Sequence, residues 1–167
     1  MSATQTSSRA RTYALYTGAP CQAACDAVTA LQPHAPIIPE PAHQAQLLLE
    51  SEVFYRVLNS QRHFFEYPFG IRYVQPTPHS TRLHLESNVS LESLLSGLLP
   101  VRSPMCTGRD QIYGLNGVRI CARTDRGIEL RRLGQSTSIQ LTGPSRRAFQ
   151  KAEAALAQQI RSNGGEP

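Results

Sequence analysis

The chain has little of the residues that mark several common protein classes. Its 167 residues include four cysteines and no Cys-x-x-Cys pair, too few for a disulfide scaffold in a chain of this length. The five histidines are scattered without metal-ligand spacing, and no Walker-type or paired-carboxylate motif is present. We therefore predict no metal site, no cofactor and no enzymatic activity. No run approaches the roughly 18 apolar residues of a membrane span, so we also predict no membrane association.

Lysine is scarce as well, because Lys151 stands alone beside sixteen arginines. Residues 1–100 carry six arginines and seven acidic residues, a net charge of −1. Residues 101–167 carry ten arginines, Lys151 and five acidic residues, a net charge of +6. A basic half beside a neutral half is typical of proteins that bind phosphates, and the arginine fork suits phosphates and can stack on bases. The alternative is a solvated basic face without a partner.

The first 43 residues divide into three segments. Residues 1–11 are polar and predict a flexible leader. Residues 12–32 predict a short strand over the first five positions and then a helix, whose apolar stripe includes Cys21 and Cys25. Residues 33–43 contain four prolines and predict a linker that cannot be helical.

Residues 44–99 form a second block with its own order of elements. Apolar spacing predicts a strand, a short helix, a second short helix or turn, two strands and a leucine-rich helix. Their bounds are Gln44–Glu50, Glu52–Leu58, His63–Phe69, Ile71–Val74, Thr81–Leu85 and Val89–Leu99. The block therefore predicts a small unit that contains both helices and strands.

Residues 100–161 repeat this order around a glycine-containing loop. The predicted elements are a strand, a helical turn, the loop, a short helix, two strands and a long helix. Their bounds are Val101–Thr107, Asp110–Tyr113, Gly114–Gly117, Val118–Arg126, Ile128–Leu130, Ser138–Leu141 and a helix that begins near Pro144. The last helix has the clearest pattern, because Ala148, Ala152 and Leu156 share one face. Residues 162–167 predict a tail.

The loop Gly114-Leu115-Asn116-Gly117 stands in a specific context. Ile120 follows three residues after the second glycine, and the strand Gly127–Leu130 comes next. The strand Ile139–Leu141, a Thr-Gly turn and the alanine-faced helix complete the order. Two glycines let a backbone turn sharply and approach a sugar–phosphate chain closely. With these elements in this order, residues 101–161 resemble a type I KH domain.

For the fold, the resemblance implies an α+β protein built from tandem KH-like units. Each unit would hold a three-stranded antiparallel sheet packed on one side by three helices. Residues 44–99 resemble a degenerate KH unit, with Asn59–Arg62 in place of the glycine loop, and residues 12–32 resemble the end of another unit. Tandem arrays that mix intact and degenerate units resemble RNA regulators of the Bicaudal-C type.

For function, the resemblance implies a groove that holds about four nucleotides of single-stranded RNA, or of single-stranded DNA, with the glycine loop clamping the backbone. The bases would contact Ile120, Ile128 and Leu130. Leu115 and Asn116 depart from the family pattern, in which at least one basic residue commonly occupies these positions. Nearby arginines could supply the missing charge, namely Arg109, Arg119, Arg123, Arg131 and Arg132.

The resulting prediction is a non-enzymatic RNA-binding protein that acts as a post-transcriptional regulator. The alternative is a protein–protein interaction scaffold or complex subunit that reuses KH folds without binding RNA, and the Leu115-Asn116 pair favours it. A protein partner is predicted to bind through residues 12–99. The type I arrangement resembles eukaryotic KH proteins and predicts a cytoplasmic or nuclear location. The acid-poor first 25 residues leave mitochondria as an alternative.

Overall fold

The computed structural model describes residues 3–32, 34–60, 65–104 and 110–162. Helices and strands are mixed along these residues, which confirms the predicted α+β class. The elements are α1 (Ala3–Thr17), α2 (Cys21–Ala30), α3 (Gln44–Ser60), β1 (Ile71–Pro76), β2 (Ser80–Leu85), α4 (Leu91–Leu98), β3 (Val101–Pro104), β4 (Asp110–Tyr113), β5 (Val118–Thr124), β6 (Gly127–Arg132), β7 (Ser138–Thr142) and α5 (Arg146–Ser162).

Five strands form one mixed sheet in the order β1-β2-β7-β6-β5. The β2–β7 pair is parallel, whereas the pairs β1–β2, β7–β6 and β6–β5 are antiparallel. β3 and β4 form a separate hairpin. The expected pair of three-stranded antiparallel sheets is therefore wrong, because β2 from one predicted unit pairs with β7 from the other. Leu83 and Leu141 lie side by side in this parallel ladder and are fully buried, so the two segments share one core.

Helices α3, α4 and α5 supply the apolar faces that cover one side of the sheet. In α4, Leu91, Leu94, Leu95 and Leu98 are all buried, as their spacing of three and four residues requires. Each buried leucine contributes about 1.5–3 kcal/mol to the free energy of folding. The sheet side of the core comes from alternate residues of β2, β5, β6 and β7, namely Leu83, Leu85, Val118, Ile128, Leu130, Ile139 and Leu141.

Residues 3–32 form a helical hairpin, which corrects the flexible leader and the strand predicted over this part of the chain. Ala10, Tyr13 and Thr17 are buried on one face of α1, a spacing of three and four residues that indicates a helix. The five-residue alternation at 12–16 was too short to distinguish a strand from this pattern. The α2 helix was predicted correctly, but Cys21 is exposed on it and Cys25 is only partly buried.

The segment 34–43 contains neither helix nor strand, in keeping with its prolines. It is nevertheless attached to the protein, because Ile37 and Ile38 pack against the small core between α1 and α2. Beyond it, α3 is one helix of 17 residues, which corrects the strand predicted at Gln44–Glu50. No glycine or proline interrupts Gln44–Ser60, and Leu49, Val53 and Val57 are buried at four-residue intervals.

The glycine loop joins two strands, which corrects the helical elements predicted on both sides of it. β4 occupies Asp110–Tyr113 and β5 occupies Val118–Thr124. In β5, Val118 is buried and Arg119 is exposed, so the side chains alternate with the period of a strand. β-branched residues at 118 and 120 also favour a strand. The loop therefore does not lead into a helix. Among the described residues, no helix N-terminus lies at the loop where its N–H groups could bind a phosphate.

Candidate nucleic-acid interface

The glycine loop is packed against the C-terminal end of α4. Gly114 has a positive φ of 84°, and a Cβ atom built on it would lie 2.1 Å from the carbonyl oxygen of Leu99. The Leu115 N–H donates to the carbonyl oxygen of Leu98 at 3.2 Å, and the Leu115 side chain is 6% exposed. The centre of the loop thus belongs to the core, and only Asn116 among its four residues is well exposed.

The apolar residues expected to contact bases lie under the helices. Ile128 is 3% exposed, Leu130 is fully buried, and Ile120 packs against the same core. These side chains point to the side of the sheet that α3, α4 and α5 cover. The groove predicted from the KH resemblance is therefore not open at these residues, because their contacts are already made with protein.

Two of the predicted arginines hold helices against the sheet. Arg123 on β5 donates to Glu153 on α5 through both Nε and Nη2, with an Nη2 to Oε2 distance of 2.6 Å. Arg132 on β6 forms an ion pair with Glu52 on α3 and donates to the carbonyl oxygen of Asn116. Their guanidinium groups are thus engaged within the protein, which lowers their value as phosphate ligands.

The other predicted arginines have different environments. Arg131 pairs with Glu129 at 3.0 Å. Burial alone would raise the pKa of Glu129, but hydrogen bonds from Arg131 and Ser138 and the Arg131 charge lower it, so this carboxylate is ionised at neutral pH. Arg119 is exposed on β5 and contacts only a carbonyl oxygen of its own strand among the described residues. Arg109 lies outside the described residues.

The opposite face of the sheet carries three rows of mostly polar residues, set by the strand register. The central row runs across all five strands and contains Gln75, Arg82, Gln140, Glu129 and Ala122. One flanking row contains Tyr73, His84, Thr142, Gly127 and Thr124. The other contains Ser80, Ser138, Arg131 and Arg119. We call this surface the polar face.

Arg82 lies at the middle of the polar face and is held flat against it. Its Nε donates to Gln140 Oε1 at 2.8 Å, and its Nη1 donates to Gln75 Oε1 at 3.3 Å. The side chain is nevertheless exposed. Within the described part of the chain, Arg82, Arg119 and Arg126 form no ion pair. These three cations are therefore available to an anionic ligand.

An open cleft of about 700 Å³ lies at one end of the polar face. It is bounded by the turn that joins β5 to β6 and by the turn that joins β7 to α5. Its walls contain both polar and apolar groups, the latter including Ile128 and Pro144. Two of its cations, Arg82 and Arg126, have no acidic partner in the described residues. The lining also includes His84, Thr124, Asp125, Glu129, Gln140, Thr142 and Ser145. The volume lies in the range of ordinary ligand sites, about 300–1,000 Å³.

His84 forms part of the cleft wall and is fully hydrogen-bonded. Its Nε2 lies 3.0 Å from Gln75 Oε1 and its Nδ1 lies 2.9 Å from Thr142 Oγ1. Because the Gln75 carbonyl can only accept, Nε2 carries the proton and the Thr142 hydroxyl donates to Nδ1. The ring stacks on Tyr73 with centroids 3.8 Å apart. Burial, followed by the charges of Arg82 and Arg72, lowers the pKa of His84 to about 4.

A pH dependence of stability follows from His84. The folded protein binds this proton only near pH 4, whereas an unfolded histidine binds it near pH 6.5. The stabilisation is thus complete above pH 6.5 and is lost as the pH falls through 4. Between pH 6.5 and 4, we expect the unfolding free energy of the parent protein to fall by about 1–2 kcal/mol more than that of His84→Gln. This figure allows for screening of the partly exposed ring by solvent. Urea unfolding at several pH values measures it, and equal pH slopes for the two proteins would contradict it.

The polar face was not singled out from the sequence, although one signal for it was present. The alternation in β2 places Arg82 and His84 opposite Leu83 and Leu85, and in β7 it places Gln140 between two buried residues. What the pattern could not reveal is that these two strands are neighbours. The pairing of β2 with β7 is what brings Arg82 and Gln140 together.

Comparison with family models, with curated proteins and with solved structures found no match. Within the described ranges, no helix has both the length and the apolar character needed to cross a membrane. The same residues contain no group of three or more histidine, cysteine, aspartate or glutamate side chains suited to a metal ion. The resemblance to KH domains therefore stays a prediction, and the polar face with its cleft is the candidate site that the geometry supports.

Proposed function

We propose that the protein binds single-stranded RNA on the polar face, over strands β2, β7, β6 and β5. The observation that carries the proposal is the set of three exposed arginines, Arg82, Arg119 and Arg126, on a sheet face whose other side is covered by helices. Arginine binds phosphate oxygens through parallel N–H groups. Because the three residues lie on different strands and a turn, they could contact successive phosphates of one chain.

The neutral groups of the polar face suit unpaired bases. Gln75 and Gln140 present amides beside Arg82, and amide and guanidinium groups bind the exposed edges of bases. In a duplex these edges are paired and stacked, so they reach a protein surface in single strands, loops and ends. The cleft at the end of the face has room for a nucleotide that leaves the stack.

The location differs from the groove that the KH resemblance implies. Leu115, Ile128 and Leu130 are buried, so the proposal does not use them. It keeps the predicted partner, single-stranded RNA, and the predicted non-enzymatic, regulatory role in the cytoplasm or nucleus. Membership of the KH family is a separate prediction on which the proposed binding does not depend.

A second candidate function, a protein–protein interaction scaffold, is favoured by exposed apolar side chains on α3. Leu47, Leu48, Tyr55 and Leu58 are 46–64% exposed and lie on one side of this helix. Apolar groups that cluster on a surface commonly mark protein contacts. This helix belongs to the segment 12–99 that was predicted to bind a protein partner, and such binding would show little dependence on salt.

The proposal is tested by replacing Arg82 with alanine and measuring RNA binding at several salt concentrations. The probe is a fluorescein-labelled 12-nucleotide oligouridine, followed by fluorescence anisotropy. Loss of one phosphate contact should reduce the slope of log K against log salt by about 0.7 and weaken binding by about tenfold near physiological salt. A deoxythymidine oligonucleotide of the same length shows whether the 2′-hydroxyl contributes.

Lys151→Ala is the matched control, because Lys151 is exposed on α5, across the sheet from the polar face. This variant should bind RNA with the affinity and salt slope of the parent protein. If Arg82→Ala instead behaves like Lys151→Ala, or if the parent protein does not bind the oligouridine, the proposal is wrong. Circular dichroism confirms that both variants are folded.

A further inference from the structure

Strand β5 is the terminal strand of the sheet. Its seven residues span about 23 Å, and β6 is the only strand with which it pairs in the described residues. Apart from the Arg123–Glu153 ion pair with α5, no described element other than β6 is in extensive contact with it. One row of its backbone N–H and C=O groups therefore faces away from the sheet, and such an edge can accept another strand.

The opposite edge of the sheet, strand β1, has a neighbouring element. The turn between α1 and α2 lies against β1, where a Cβ on Gly18 would be 3.0 Å from the carbonyl oxygen of Arg72. Tyr73 of β1 also packs into the small core of the α1–α2 hairpin. The chain thus places a helical hairpin beside β1, whereas β5 has no equivalent neighbour among the described residues.

The charge around β5 indicates which kind of strand would pair there. The β5–β6 hairpin, residues 118–132, contains five arginines and two acidic residues, a net charge of +3. Arg119 and Arg131 lie directly opposite each other on the polar face, and the Arg119 side chain stands on the edge strand itself. An acidic segment alongside β5 would place carboxylates within reach of these guanidinium groups.

The same charges disfavour pairing between two copies of this chain. In a β5–β5 pair, two hairpins that each carry a net charge of +3 would lie side by side. Charges of the same sign brought together in this way repel each other. The register also shifts between Ile120 and Ala122, and such bulges are a common protection of edges against self-association.

We propose that β5 binds an extended acidic peptide from another protein, which adds to the sheet as a sixth strand. Main-chain hydrogen bonds to the free edge would hold the peptide, and Arg119 would select acidic side chains at alternate positions. RNA and the peptide would share Arg119, but the peptide binds along the edge of β5 and does not use Arg82.

The test uses a fluorescein-labelled ten-residue peptide of alternating glutamate and threonine. Two further peptides carry N-methyl groups on either the odd or the even backbone amides. In a strand that joins the edge of β5, only every second backbone N–H points toward β5. Methylation of those amides removes their hydrogen bonds, so one methylated peptide should bind at least about tenfold more weakly than the other. Equal binding of the two methylated peptides, or no binding of the parent peptide, would overturn the proposal.

Protein variants assign the binding to β5. Arg119→Glu should weaken binding of the glutamate–threonine peptide by about tenfold, since an attraction becomes a repulsion. Lys151→Glu, with the same change of charge on α5, should leave it unchanged, and so should Arg82→Ala. Equal weakening by Arg119→Glu and Lys151→Glu would show a non-specific charge effect and contradict the proposal. Loss of RNA binding in Arg82→Ala with peptide binding intact separates this proposal from the previous one.

Discussion

Replacing Leu115 with aspartate is expected to unfold most of the protein. Leu115 is 6% exposed and packs in the main core, so the substitution removes apolar contacts and places a carboxylate among apolar side chains. Truncating a buried leucine alone costs about 2–5 kcal/mol, and an unpaired buried charge adds to this cost. The total is comparable with the stability of an ordinary domain, about 5–15 kcal/mol.

Asn116→Asp is the matched control, because the neighbouring side chain is exposed. Urea unfolding followed by circular dichroism should show a normal midpoint for Asn116→Asp and no cooperative transition, or a greatly lowered midpoint, for Leu115→Asp. Had the loop been an exposed phosphate clamp, both substitutions would be tolerated by the fold and both would reduce RNA binding. A stable Leu115→Asp protein would contradict the placement of this side chain in the core.

The two glycines of the loop are expected to differ strongly in their tolerance of a side chain. A Cβ on Gly114 would lie 2.1 Å from the carbonyl oxygen of Leu99, whereas a Cβ on Gly117 meets only Arg132 Cγ at 3.5 Å. Both have positive φ, 84° and 76°, which costs a non-glycine residue about 1–2 kcal/mol. Gly114→Ala adds a backbone clash and should cost about 3 kcal/mol or more in total.

The difference between Gly114→Ala and Gly117→Ala is measured by urea or thermal unfolding of the two variants. Gly117→Ala should lose only the conformational part, about 1–2 kcal/mol. Equal destabilisation of the two variants would contradict the close approach of the loop to α4. Gly134→Ala is a further reference, because its φ is 75° and no heavy atom lies within 4 Å of its added Cβ.

Elements with a long, regular apolar period were predicted well from the sequence. The helix Arg146–Ser162 buries Phe149, Ala152, Leu156 and Ile160 on one face, and this spacing needs no tertiary information. Strands β1, β2, β6 and β7 were likewise found near their predicted positions, because each alternates over several residues.

The errors fall where short patterns fit two structures. Over Thr12–Tyr16 and Gln44–Glu50, strand-like alternation and helical spacing could not be separated by five to seven residues. In both cases the helix extends well beyond these five to seven residues. Its buried face can be recognised only over the full length of the helix, as the buried residues Leu49, Val53 and Val57 of α3 illustrate. At Val118–Thr124 the opposite happened, since the segment predicted from the sequence pattern as a short helix is a strand.

The candidate site depended on information that the sequence does not display locally. The glycine loop was predicted to bind RNA because of its two glycines. In the structure, a glycine is needed at position 114 because the backbone there lies against the carbonyl group of Leu99. Arg123 and Arg132 were chosen for their charge, but their acidic partners lie on α5 and α3, far away in sequence. Arg119 and Arg131 do lie on the polar face, whereas Arg82 became a candidate only through its neighbour Gln140 on β7.

The parallel pairing of β2 with β7 also affects how the chain folds. Arg82 and Gln140, adjacent on the sheet, are 58 positions apart in sequence. Closing a loop of that length has a substantial entropic cost, which must be met before the contacts between the two strands can compensate for it. The hairpins β1–β2 and β5–β6, by contrast, can close locally. We therefore expect the two hairpins to form early and the β2–β7 ladder to complete the sheet late, at the step that limits the folding rate. The surface where Arg82 meets Gln140 would then exist only in the fully folded protein.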